Sequence, residues 1–279
     1  MSVNCVPMGT EQATSETSVD AALGGRLQLM QPRRGHRFGH DAILLAALVD
    51  AKPGQHAVDF GAGIGAAGLA LAARVPDLNV TLIEIEPTLA AFAADNIARN
   101  DLKDRVRAIT LDVGVPPSLF ASAGLPAGAV DHVLMNPPFN DPARQLSSPD
   151  AARRRAHMAA PETLASWTRA ATRILRSHGS LNLIWRAEEL AMVLDSLSGA
   201  FGAVTVLPVH PRAGQPALRV LVRAIKGSKA PLAILPGLIL ATDRGPSKDA
   251  EAILRAGRSI DAIQQDGAKN ATARDKPST

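Results

Sequence analysis

From residue 24 to residue 226, short β-branched apolar runs alternate with alanine-rich windows in which apolar residues recur at helical spacing. Apolar runs bounded by turn residues, each followed by a helical window, predict parallel strands covered by helices on both faces. In chain order the pattern predicts a short β segment at 25–31, a helix at 40–50, a strand at 56–60 and its helix at 66–75. A second strand at 79–85 leads to a helix at 87–100 that opens on Pro87, where the missing N–H costs nothing. Strands at 106–112 and 129–135 follow, then a helix at 162–175 ending near His178-Gly179 and a strand at 180–185. A helix at 187–197 and strands at 203–209 and 217–226 complete the series. The expected fold is an α/β, doubly wound, seven-stranded Rossmann-like sheet with a terminal antiparallel strand. One domain is expected over 23–260, entered through a short hairpin and helix, with a flexible leader at 1–22 and a flexible tail at 261–279. Residues 231–256 fit neither period well.

With 279 residues, 46% hydrophobic and 20% charged, the chain can bury one large core or two small ones. The longest apolar run, Ala42 to Val49, is too short to cross a bilayer, and the first residues form neither a basic start nor an apolar signal core. The expectation is a cytoplasmic protein without a membrane partner. The one cysteine, Cys5, excludes an internal disulfide, and nothing spaces His36, His40 and His157 as metal ligands, so no metal is expected. The formal charge of +4 is mild, but basic residues cluster at 31–37, with Arg33, Arg34 and Arg37, and at 152–157, with Arg153, Arg154 and Arg155. Each cluster reads either as a solvated loop or as a phosphate-binding patch, and its position relative to an active site must decide. Aromatics are scarce: there is no Tyr, so any base-stacking surface must use Phe or Trp. Trp167 and Trp185 fall in an amphipathic helix and a core strand, where packing is the usual role.

Candidate chemistry begins after the first strand. In "VDFGAGIGAAG" glycines between a strand and a helix let the backbone turn tightly and approach a ligand closely. Gly63, Gly65 and Gly68 satisfy the dinucleotide spacing, but Gly61, Gly63 and Gly65 serve S-adenosylmethionine equally well. Glu84, at the end of the second strand, can accept both hydroxyl protons of a ribose, in either cofactor. Asp112, ending the third strand, can accept from the amine of a bound adenine, and Asp59 can orient a cationic amino group. Each acid taken alone is equally a cap or a turn former. Their placement at three consecutive strand ends points to a cofactor.

The fourth strand separates the two cofactors. It runs into "MNPPFN", where Asn136 is followed by Pro137, Pro138 and Phe139. An exocyclic aromatic amine is a poor nucleophile because its lone pair is delocalised into the ring. Two acceptors that grip its hydrogens, the Asn136 side-chain carbonyl and the Pro137 backbone carbonyl, can aim that lone pair at a sulfonium methyl. Fixed φ at Pro137 and Pro138 keeps the loop stiff, and Phe139 supplies a face for a planar base. A base flipped out of RNA needs its backbone held, which Arg153, Arg154 and Arg155 could do.

The ordered set "DFGAGIG", "IEIE", "LD" and "NPPF" resembles the class I S-adenosylmethionine-dependent methyltransferases of the amino-group type. Together with "GGRLQLMQPRRGHRFGHDAILLAALV" upstream and "ARRRAHM" downstream, it resembles the bacterial tRNA(valine) adenine-N6 methyltransferases over residues 24–226. The resemblance implies that Asn136, Pro137 and Phe139 activate the target amine beside Pro138, and that Gly61, Gly63, Glu84 and Asp112 hold S-adenosylmethionine. It implies tRNA as the partner, with an adenine next to the anticodon as substrate. The family more often carries Tyr where this chain has Phe139, which keeps stacking and loses a hydroxyl contact. The same motif also serves enzymes acting on a protein glutamine amide or on guanine in ribosomal RNA. The former would need a helical domain before the catalytic fold and the latter usually carry a duplicated one; the length is expected to leave room for neither, while a single-domain guanine enzyme stays open as the alternative. A nicotinamide oxidoreductase would need a proton donor such as a Tyr-x-x-x-Lys pair, and a non-catalytic RNA-binding relative would show a damaged motif.

Overall fold

The computed structural model describes residues 17–33, 37–137 and 149–265, with the backbone alone over 149–161. β1 (Thr17–Ala22) and β2 (Leu27–Pro32) pair antiparallel around a 3-10 turn. α1 (His40–Leu48), β3 (His56–Phe60), α2 (Ala66–Arg74), β4 (Asn79–Glu84), α3 (Pro87–Arg99), β5 (Val106–Thr110) and α4 (Pro117–Ser122) follow. Next come β6 (Val130–Met135), α5 (Pro149–Ile174), β7 (Leu175–Arg186), α6 (Leu190–Leu197), β8 (Phe201–Arg212) and β9 (Arg219–Lys226). β10 (Ala233–Ile234), β11 (Leu238–Thr242), β12 (Gly245–Pro246) and α7 (Lys248–Leu254) close the series.

The expected seven strands lie in the order β8-β9-β7-β6-β3-β4-β5. β9, last of the seven in the chain, runs antiparallel and sits between β7 and β8. Residues 231–256 lengthen the sheet to ten strands: β10 and β11 both pair parallel with β8, and β12 pairs with β11. Strand alternation fills two cores, one on each face. Leu134 joins α1 and α2 in one, while Val133 and Met135 join Phe60, Phe120 and the end of α5 in the other. α1 is buried at every position from Ala42 to Leu48, as a helix enclosed between the sheet, α2 and α7 must be.

The leader expected over 1–22 ends earlier than the pattern predicts, because Thr17–Ala22 is a strand. Its alternation is masked by polar residues with structural work: Asp20 accepts from Gln31 Nε2 at 2.5 Å and pairs with Arg37 at 2.6 Å. The tail expected from 261 likewise starts later, since Asp261 forms an ion pair with Arg223 at 2.7 Å. The helix expected from 162 begins at Pro149, so the basic run at 152–157 is helical rather than a loop. Its end is earlier too: α5 stops at Ile174, and His178, with φ of 61°, lies where the register between β6 and β7 shifts.

A pair of asparagines, one in α3 and one capping it, ties the hairpin to that helix. Asn96 accepts from Met30 N–H at 2.7 Å and donates to Met30 C=O at 2.9 Å; one turn later Asn100 does the same to Gln28 at 2.8 Å and 2.8 Å. A helical step of four residues rises about 6 Å and a strand step of two about 6.7 Å, so carboxamides at this spacing imitate a neighbouring strand. Asn96 also donates to Ile64 C=O, at 3.1 Å, in the glycine loop. Asn96 is fully buried. Asn96→Ala leaves three backbone groups without their partner and is expected to cost about 3 kcal/mol in urea unfolding, against about 1 kcal/mol or less for Asn100→Ala. Equal midpoints for wild type and Asn96→Ala would contradict the clamp.

Candidate functional site

Register decides what meets at the sheet edge. Phe60 pairs with Ile83 on one side and with Met135 on the other, and Thr110 pairs with Glu84. Gly61, Glu84, Asn136 and the Leu111-Asp112 step therefore emerge together at the carboxyl ends of neighbouring parallel strands. In open α/β sheets ligands bind at that edge. Between β3 and α2 the chain turns through Gly61, Gly63 and Gly65, with φ of 64°, 57° and 90°, which only glycine adopts without strain.

Each of the three expected acids holds a backbone N–H. Glu84, buried, accepts from Gly63 at 2.7 Å and from Glu86 at 3.0 Å, one bond to each carboxylate oxygen. Asp112, exposed, accepts from Gly114 at 2.7 Å. Asp59 is buried, and its Oδ2 accepts from Gly68 N–H at 2.8 Å, capping the first turn of α2. Burial pushes the Asp59 carboxyl up to about 7; the Gly68 N–H opposes the shift and the Glu84 charge adds to it. A carboxylate offers about four lone-pair sites, so Glu84 and Asp112 keep acceptor capacity for a ligand.

Asn136 closes β6 beside Gly61. Its Oδ1 is buried and has no hydrogen-bond partner among the described residues. An unpaired buried carbonyl costs about 1–3 kcal/mol. A ligand that brings a donor to this position would remove that cost. Asn182 Oδ1 and Arg74 Nε share this condition among the described residues, but Asn182 lies mid-strand opposite Leu134 and Arg74 at the far end of α2. Pro137 is buried. Pro138 and Phe139 lie outside the described residues, as do Arg34 and His36; Arg153, Arg154 and Arg155 fall in the part of α5 described by backbone alone.

A cavity of about 410 Å³ opens at the same edge, lined among others by Gly61, Ile85, Asp112, Val113, Glu162 and Trp167. Ile85 is 60% exposed, an aliphatic face presented to solvent at the cavity mouth. Trp167 packs against the core that holds Phe60, as expected, and does more. Its indole meets Phe60 edge-on at 6.2 Å, and it lines this cavity. An aromatic facing a loop glycine from a helix far along the chain leaves no local signal. Trp185 does pack: it is buried, and its Nε1 donates to Glu189 at 2.8 Å. A larger cleft of about 1040 Å³ lies between the hairpin, the start of α1 and the β11–α7 segment, where Arg37, Arg212 and Arg255 balance Asp20, Asp243 and Glu251. Among the described residues no cluster of three or more metal-ligating side chains occurs, and no helix is long and apolar enough to cross a membrane.

Residues 38–211 match the methyltransferase small domain family. A crystal structure described as a predicted O-methyltransferase from Agrobacterium tumefaciens superposes with a TM-score of 0.66 at 32% identity, covering 78% of this chain and 97% of that one. Two proteins named tRNA1(Val) (adenine(37)-N6)-methyltransferase are also similar. The one from Bacteroides thetaiotaomicron is 28% identical over 149 residues, 53% of this chain and 59% of that one. The one from Porphyromonas gingivalis is 31% identical over 169 residues, 59% of this chain and 64% of that one. The chain thus spans about three fifths of the length of these two relatives.

Two buried groups make opposite contributions to pH dependence. Asp59, with its pKa raised to about 7, contributes stability that is complete below its ordinary value of 3.8 and is lost as the pH rises toward 7. His132 is buried at the start of β6 between Ser180 Oγ and Gln55 Oε1, at 2.8 Å and 2.9 Å. Burial lowers its pKa to about 4, so its contribution is present above 6.5 and is lost as the pH falls toward 4. Asp59→Asn removes the first effect alone. Its stability in urea is expected to climb more steeply than the wild type's between about pH 4 and 6.5; parallel curves would count against an ionisable, buried Asp59.

Proposed function

The chain belongs to the methyltransferase small domain family, and on that premise we propose that it transfers a methyl group from S-adenosylmethionine to the exocyclic N6 amine of an adenine in tRNA. The observation that carries this reading is the buried Oδ1 of Asn136 at the end of β6, which has no hydrogen-bond partner among the described residues. When bound, S-adenosylmethionine supplies an electrophilic methyl on a sulfonium.

The residues at the edge fit that cofactor. The Glu84 carboxylate, fixed by Gly63 and Glu86, has lone pairs left for ribose hydroxyls, and Asp112 has the same capacity toward an adenine amine. A Cβ at Gly63 would meet nothing within 4 Å, so the loop is open on that side. On the acceptor side, Asn136 Oδ1 and the Pro137 carbonyl take the two hydrogens of an amine and hold its nitrogen in one orientation. Two acceptors suit an amine with two hydrogens better than a hydroxyl with one, which favours nitrogen over oxygen as the methyl acceptor. The amine is neutral, so no general base acts before transfer, and its proton leaves to solvent afterwards. Phe139 stacks on the base, and Arg153, Arg154 and Arg155 on α5 hold the RNA backbone.

The names of the Bacteroides and Porphyromonas relatives support adenine in tRNA as substrate, and a cytoplasmic reaction is part of the same proposal. Asn136→Ala is expected to lower methyl transfer to tRNA by about a hundredfold or more while S-adenosylhomocysteine affinity, measured by calorimetry, stays within about threefold. Because the substitution removes a buried atom that has no partner among the described residues, the unfolding midpoint should hold or rise. Near-native turnover by Asn136→Ala would overturn the assignment.

A further inference from the structure

Two of the three loop glycines face different close neighbours, and the third faces none. A Cβ on Gly65 would meet Leu82 and Leu69 at 2.9 and 3.0 Å, which is strand-to-helix packing, and a Cβ on Gly63 would meet nothing within 4 Å. A Cβ on Gly61 would lie 2.5 Å from Trp167 Cη2 and 3.2 Å from Cζ3. The space that Gly61 leaves is filled by the indole.

The indole is not free to withdraw cheaply. It stands at 89° to the Phe60 ring, and α5 carries it from the core that holds Ala170, Ala171 and Ile174. Trp167 and Ile85 line one cavity, giving it an aromatic and an aliphatic wall. A purine ring gains most from apolar walls of this kind. We propose that Trp167 is a positioning residue that forms the α5 wall of the cofactor pocket, and that Gly61 lacks a side chain in order to seat this indole, leaving Gly63 as the face open to the cofactor. This rests on the cofactor reading above. Cofactor affinity then depends on α5 as well as on the strand ends.

The test is a double-mutant cycle on S-adenosylhomocysteine binding and unfolding midpoint, with Trp167→Ala, Gly61→Ala and the double variant. Trp167→Ala should weaken binding about tenfold or more, and Trp167→Phe about threefold. Gly61→Ala carries a left-handed backbone strain in either background, and in the wild type it also displaces the indole. Its effect should therefore be much smaller on top of Trp167→Ala than alone. Fully additive effects would mean that Gly61 is kept small for the cofactor and would overturn the proposal. A second readout survives a poorly folded variant: with Trp185 buried in the core, the ligand-induced change in tryptophan emission should be present in the wild type and absent in Trp167→Phe. An unchanged response in Trp167→Phe, or wild-type affinity in Trp167→Ala, overturns the wall alone. Failure of the wild type to bind S-adenosylhomocysteine overturns the cofactor reading, and the wall with it.

Discussion

The whole site depends on one constraint, the parallel register that sets Phe60 level with Ile83 and Met135. Side chains alternate along a strand, so a slip of one residue in β6 would send Val133 and Met135 out of the core they share with Phe60 and exchange them with Leu134. Filling two cores thus fixes the height at which β3, β4 and β6 end. Gly61, Glu84 and Asn136 need no attraction to one another to be adjacent. Their adjacency follows from packing further down the strands.

What the edge then holds is electrostatically costly. Asp59 and Glu84 stand buried near each other, stabilised by one and two backbone N–H groups, and the Asn136 carbonyl has no partner among the described residues. The fold contains this local cost with neutral, well-bonded polar contacts elsewhere, such as the Asn96 carboxamide that joins the hairpin, α3 and the glycine loop through three bonds. Asp59 illustrates how one residue can bear two readings: its carboxylate caps α2, and its pKa is poised by its burial within the same loop.

The core strands, the glycine loop and the order of the acids were legible because each depends on local spacing: two residues for a strand, a tight turn between strand and helix, a carboxylate at a strand end. Less was legible where a residue's partner lies far along the chain. Thr17–Ala22 carries no apolar alternation, since Asp20 is satisfied by Gln31 and Arg37. β10 to β12 are short and half exposed, and they are strands only because β8 offers an edge. Trp167 is legible as a packing residue on an amphipathic helix, but its place over Gly61 is not, since the two are far apart in the chain. The position of Asn136 at the end of a core strand is legible from the motif, whereas the lack of a partner for its Oδ1 among the described residues is visible only in three dimensions.

The central claim is that the Asn136 edge acts on an adenine amine in tRNA. It is tested most directly by incubating the protein with methyl-labelled S-adenosylmethionine and bacterial RNA lacking N6-methyladenine, then analysing the nucleosides by mass spectrometry. Labelled N6-methyladenosine in the tRNA fraction is the predicted result; label in methylguanosine, in a ribose methyl or in protein instead would contradict it.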